Sequence, residues 1–98
     1  MIEALREAAA EFLAREAGPQ SLVTVTRTQL SDDRKHGIIF ITVFPDTAEH
    51  SAVDFCQRKR SEFSSFFEKR VRGMRVPHVE FQIDIGEKNR QRLDELSQ

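Results

Sequence analysis

Apolar residues along positions 2–16 recur at three- and four-residue spacing, so that Ile2, Leu5, Ala9, Phe12 and Leu13 share one face of a predicted helix. Gly18-Pro19 ends it, because glycine suits the C-cap and proline cannot continue the hydrogen-bond ladder. Leu22 to Leu30 is rich in Val and Thr, the β-branched types that fit a pleated surface. Ser31-Asp32-Asp33 is a turn cluster. Gly37 to Phe44 is a second strand, apolar on both faces and so expected in the middle of a sheet. The short loop between the strands predicts an antiparallel hairpin. Pro45-Asp46-Thr47 stops it, with Asp46 or Thr47 placed to cap the next helix.

From Ala48 to Arg72 the period is helical again. Ala52, Val53, Cys56, Phe63, Phe67, Val71 and Met74 fall within an arc of about 100°, with Asp54, Arg58, Ser61, Ser65, Lys69 and Arg72 opposite. Arg60 conflicts with this pattern, since a straight helix would turn it onto the apolar arc. A break at residues 59–61 resolves the conflict. It gives two helices, re-aims Arg60 outward beside Arg58 and Lys59, and lets Ser61 cap the second helix, which Gly73 closes. Val76 to Ile85 alternates as a half-buried strand. Val79, Phe81, Ile83 and Ile85 lie on one face, and His78, Glu80, Gln82 and Asp84 on the other. Pro77 is tolerable near the start of such a strand. Gly86 to Gln98 reads as a short polar helix anchored by Leu93 and Leu96. The expected fold is α+β in the order α-β-β-α-(kink)-α-β-α, a three-stranded sheet with helices on one face, in a single domain over residues 1–98.

Composition narrows the function. The chain has 98 residues, 32% charged and 39% hydrophobic, which excludes a disordered chain. No apolar run approaches the ~18 residues of a membrane span. Cys56 is alone, so no internal disulfide forms and a reducing compartment, the cytoplasm, is expected. The charge is unevenly spread. Between Arg58 and Arg75 stand seven Lys or Arg residues against Glu62 and Glu68, a local charge of +5 in a chain of net charge −1. The plain reading of such a run is a solvated helix face. Its density and one-sidedness favour a polyanion site made by Arg58, Lys59, Arg60, Ser61, Lys69, Arg70, Arg72 and Arg75.

Other chemistry is thin. The glycines stand singly at 18, 37, 73 and 86, so there is no Gly-x-x-Gly loop to clamp single-stranded nucleotides. Recognition by shape and phosphate is expected instead. Most of the eight phenylalanines sit at core spacing, leaving Phe55 and Phe66 as candidates for base stacking. His36, His50 and His78 lack ligand-like spacing, and Cys56 on the apolar arc reads as a buried, inert thiol. No nucleophile motif, phosphate loop or paired-carboxylate motif is present, and Asp32-Asp33 reads as a turn. No enzyme, metal, cofactor or small-molecule substrate is expected.

The element order is that of a type II KH-like domain. Leu22–Asp33 followed by Gly37–Phe44 resembles the hairpin of the ribosome-binding factor A family, a Thr-Val-Thr … Ser-x-Asp strand and turn followed by an apolar strand. Arg72-Gly-Met-Arg-Val-Pro-His-Val-Glu-Phe-Gln-Ile-Asp84 resembles its Leu-Arg-x-Val-Pro-Glu-Leu-x-Phe-x-x-Asp signature. The resemblance spans residues 5–96. It departs from the family where an Ala-x-Gly step would kink the long helix, since Lys59-Arg60-Ser61 stands there. It implies a monomeric, non-enzymatic assembly factor for ribosome biogenesis. Such a factor binds the immature small (30S) subunit, contacts 16S rRNA near the decoding region and supports rRNA processing at the 5′ end, especially in the cold. Two rivals remain. One is a BolA-like partner of glutaredoxins and iron–sulfur clusters, which shares the order and would use His78. The other is a protein-binding module whose basic stripe meets an acidic partner.

Overall fold

A computed structural model describes residues 2–16, 22–73 and 75–97. The elements run α1 (Ile2–Glu16), β1 (Leu22–Leu30), β2 (His36–Phe44), a 3-10 turn (Asp46–Ala48), α2 (Glu49–Arg58), α3 (Arg60–Arg70), β3 (His78–Ile83) and α4 (Ile85–Ser97). The order is the expected one. The Gly18-Pro19 stop, Met74 and the Leu96 anchor lie outside the described residues or side chains. The strands form a mixed sheet in the order β1-β2-β3, with β1 and β2 antiparallel and β2 and β3 parallel. The doubly apolar β2 is therefore the central strand.

The core lies between the sheet and α1, α2 and α3. Ile39, Ile41 and Val43 of β2 and Val79 and Phe81 of β3 point into it. They meet Leu5, Ala8, Ala9, Phe12 and Leu13 of α1, Ala52 and Cys56 of α2, and Phe63 and Phe67 of α3. Phe63 is the hub. Its ring centroid lies 5.5 Å from that of Phe12, 6.1 Å from Phe67 and 6.2 Å from Phe81, in tilted and edge-on contacts that add to simple burial. The Leu5 side chain of α1 lies close over β2 at Gly37, where a Cβ would sit 3.3 Å from it, a tight contact that glycine avoids.

One feature of the sheet was not expected. Val25 pairs with Ile41 and Arg27 with Phe40, so Thr26 is an extra residue, a β-bulge. An uninterrupted strand that buries Val23 and Val25 would also turn Arg27 and Gln29 inward. The bulge shifts the parity. Val23, Val25 and Leu30 pack against the core and Thr28 is buried, its hydroxyl donating to the Ile2 carbonyl of α1, while Arg27 crosses to the outer face. There its guanidinium carbon lies 4.0 Å from the Phe40 ring centroid.

Several boundaries are corrected. β3 stops at Ile83, so Ile85 is not an inward strand residue but the exposed start of α4. Asp84, expected on the polar face, is only 5% exposed. Its Oδ1 accepts the Glu87 amide at 3.0 Å, and its Oδ2 accepts the Thr26 hydroxyl at 2.6 Å and Arg27 Nε at 3.2 Å. One carboxylate thus caps α4, pins the bulge and holds Arg27, and these bonds keep it below the ordinary carboxylate range, the Thr26 bond most of all. The spacing Asp84-x-x-Glu87 is a helix-start signal that outweighs the strand alternation. Neither Asp46 nor Thr47 is the N-cap of α2; a 3-10 turn over Asp46–Ala48 leads in, and Ala48 takes that position. Leu93 is 64% exposed and does not anchor α4 in the core.

Candidate nucleic-acid interface

The expected break falls at Lys59. With φ −94° and ψ 8° it leaves the helical region, and its N–H is shared between the Phe55 and Cys56 carbonyls, each at 3.1 Å. α3 restarts at Arg60. The periodicity conflict is relieved, though not by turning Arg60 fully into solvent. Arg60 is half-buried and donates Nε to the Gln57 carbonyl at 3.0 Å, satisfying one of the orphan acceptors at the end of α2. Ser61 does not cap. It lies exposed in the first turn of α3, and no side chain caps that helix start.

The same residue that receives Arg60 fixes the break to the sheet. The Gln57 amide lies along the outer edge of β3, where Phe81 N–H donates to Oε1 at 3.3 Å and Nε2 donates to Phe81 O at 3.5 Å. Arg58, Lys59 and Arg60 are thereby held beside the free edge of the sheet.

Charge counting hides how differently these cations are placed. Arg58 approaches Asp54 at 4.0 Å and Lys59 approaches Glu62 at 3.8 Å, both loose surface pairs that solvent screens. Lys59 also lies 5.6 Å from the Phe55 ring centroid. Arg70 turns the other way and meets Glu11 at 3.2 Å, joining α3 to α1. Lys69, Arg72 and Arg75 are exposed and make no ion pair among the described residues. The eight predicted residues therefore divide into a group at the break, an interhelical tie, and a group without ion pairs among the described residues, running from Lys69 in the last turn of α3 to Arg72 and Arg75 beyond it. Gly73, at φ +83°, makes the turn between Arg72 and Arg75 in a conformation suited to glycine.

The stacking candidates are already occupied. Phe66 packs on Phe12 at 5.6 Å beneath Arg15, and Phe55 lies under Lys59. Phe44 was missed. It is 72% exposed at the end of β2, the one exposed large aromatic among the described residues. Its signal was position: last residue of an apolar strand, directly before Pro45.

The histidines come together in part. His36 and His78 face each other across β2 and β3 with ring centroids 6.0 Å apart, on the exposed side. No group of three or more His, Cys, Asp or Glu able to hold a metal occurs among the described residues. Cys56 lies in the core, where burial pushes its thiol up to about 11, while His78 is exposed. Among the described residues, no helix is long and apolar enough to cross a membrane.

Comparison with known proteins points one way. The family model described as ribosome-binding factor A matches residues 1–97. Ribosome-binding factor A of Fervidobacterium nodosum is 26% identical over 78 residues, covering 79% of this chain and 62% of that protein. That of Kosmotoga olearia is 29% identical over 83 residues, covering 84% and 66%. The chain thus spans slightly less than two thirds of these relatives' lengths. The crystal structure of ribosome-binding factor A from Thermus thermophilus superposes with a TM-score of 0.74 at 26% identity, covering 84% of this chain and 90% of that one. A homology model of the Thermus protein, fitted into a cryo-electron microscopy map of its 30S complex, gives a TM-score of 0.73 at 27% identity. It covers 83% of this chain and 88% of that one.

Proposed function

Because the chain belongs to the ribosome-binding factor A family, we propose that it is an assembly factor that binds the immature small ribosomal subunit through 16S rRNA and supports late maturation and 5′-end processing. It acts as a monomeric domain by docking, without chemistry of its own. The observation that carries this reading is the free cationic group Lys69, Arg72 and Arg75, continued by the weakly paired Arg58 and Lys59 at the helix break. Exposed cations with loose internal partners can exchange them for phosphates at little loss, releasing condensed counterions from the RNA. Arg adds a planar fork that fits phosphate oxygens. Arg60 and Ser61 stand at the break beside Arg58 and Lys59, and Arg70 ties α3 to α1 through Glu11. The Thermus relative's 30S complex supports the choice of partner.

The test is sucrose-gradient co-sedimentation with free small subunits. Replacing Arg58, Lys69 and Arg72 together with Glu abolishes co-sedimentation while the circular dichroism spectrum stays unchanged. Retained binding by the folded triple variant would remove this surface from the assignment.

A further inference from the structure

The outer face of the sheet carries a second feature that the basic helices do not explain. Leu22 and Phe44 are register partners, as are Thr24 and Thr42, so all four side chains share one end of the face turned away from the core. Lys88 and Gln91 of α4 stand against them. Between these six residues lies a hollow of about 410 Å3, with Asp46 on its rim. Ligand pockets start at roughly 300 Å3.

The lining has a definite chemical character. Thr24 and Thr42 line it, and each hydroxyl can donate and accept. The α4 wall offers the Gln91 amide, with a donor and an acceptor side by side, the arrangement that reads a base edge. The mouth is apolar, with the Phe44 ring 72% exposed and Leu22 66% exposed opposite it. Lys88, 28% exposed and held by Glu49 at 2.9 Å, gives the site one ammonium in a fixed place. An aliphatic anchor from a protein partner would leave those hydroxyls unpaired. A planar heteroaromatic with hydrogen-bonding edges stacks on Phe44 and satisfies them.

We propose that this hollow receives one unstacked base of the bound RNA. The inference rests on the RNA reading above and deepens it. The stripe on α2 and α3 holds phosphates without regard to sequence, and the Phe44 hollow adds a single base contact on the other side of the sheet. Two contacts on one rigid body raise affinity multiplicatively when both can be reached at once. They also select RNA whose fold presents an unpaired nucleotide at the right place.

The test exploits a gap in the composition, since the chain contains no Trp and no Tyr. In a Phe44→Trp variant the indole is the sole long-wavelength reporter, and stacking of a base quenches it. Titration with mixed-sequence single-stranded RNA gives saturable quenching, and Gln91→Ala in the same background weakens it. In parallel, Phe44→Ala weakens binding of the same RNA about 5- to 100-fold. It does not weaken binding of an otherwise identical RNA carrying abasic sites, and so isolates stacking from phosphate contact. Phe44 is exposed, so its replacement leaves the fold intact, which circular dichroism verifies.

Equal weakening on normal and abasic RNA overturns the proposal. So does an indole that responds to ribosomal protein and not to RNA. Salt-dependent RNA binding that ignores Phe44 and Gln91 overturns the hollow and leaves the basic surface standing. Wild-type protein that binds no RNA overturns both.

Discussion

The chain interrupts its own regular structure at Lys59 between α2 and α3 and at Thr26 within β1, and the two interruptions are built in opposite ways. At Thr26 the disturbance is taken inward. A buried carboxylate, Asp84, gathers the bulge hydroxyl, the Arg27 guanidinium and an amide of α4 into one corner. At Lys59 the disturbance is left at the surface, with a shared amide, an arginine on a helix-end carbonyl and cations facing water. A single buried charge needs every partner it has, so the first corner fixes the fold. Exposed charges with loose partners remain available, which is why the proposed site lies at the second. An irregularity in backbone geometry is therefore not by itself a mark of function; the state of its charges decides.

Separate losses of stability and binding at the two places sharpen that contrast. Asp84→Ala should give the largest effect, roughly 2–4 kcal/mol of lost stability in urea unfolding, because a charged acceptor and a helix cap go together. Affinity of the folded variant for abasic RNA, which reads the basic surface alone, should stay within about twofold. A variant as stable as wild type would break the comparison.

Acid should act on the same corner. The folded Asp84 titrates below its unfolded value, so its contribution is fully present above the unfolded value of about 4 and fades as pH falls through the lower folded one. Asp84→Asn should therefore flatten the decline of stability below about pH 4 relative to wild type. An unchanged decline would remove Asp84 as its source.

At the other place the signs reverse. Arg58→Ala with Lys59→Ala should alter stability by no more than about 0.5 kcal/mol, since both pairs are long and solvent-screened, with Lys59 half-buried and Arg58, Asp54 and Glu62 exposed. The same change should reduce the salt dependence of RNA binding. On the proposed reading the full surface should engage about three to five phosphates, with a log–log slope of roughly −2 to −4, and this pair should account for about two of them. An unaltered slope would confine the interface to Lys69, Arg72 and Arg75.

Gln57→Ala comes next, at about 1 kcal/mol, with faster hydrogen exchange at the Phe81 amide as its signature. The smallest effect is Ser61→Ala, within about 0.5 kcal/mol of wild type, because the hydroxyl caps nothing. A larger loss would mean that Ser61 holds the start of α3 after all.

Much of this was legible before any coordinates. The periods of the apolar residues gave the order of elements, and the placement of Arg60 on an apolar arc gave the helix break without the family's Ala-x-Gly step. What escaped depends on three-dimensional partners. Asp84 reads as polar by alternation, yet its burial is determined by Thr26 and Arg27, far away in sequence. The bulge leaves only a change of parity, from Val23 and Val25 to Thr28 and Leu30. A run of Lys and Arg says nothing about which of them already has a partner. Glu11, which takes Arg70, belongs to a helix at the other end of the chain.

The Gln57 amide on β3 has a consequence for how the protein behaves in a crowd. A sheet with an open margin is a template onto which any stray extended chain can zip, the route by which small β-containing proteins form fibres. Phe81 sits in the middle of the six-residue β3, and its outward N–H and C=O are both taken by one side chain. An incoming strand would have to displace that amide at the centre of its register, with the end of α2 in its way. A glutamine that looks like a minor spacer between two helices thereby blocks the middle of the β3 edge against such pairing.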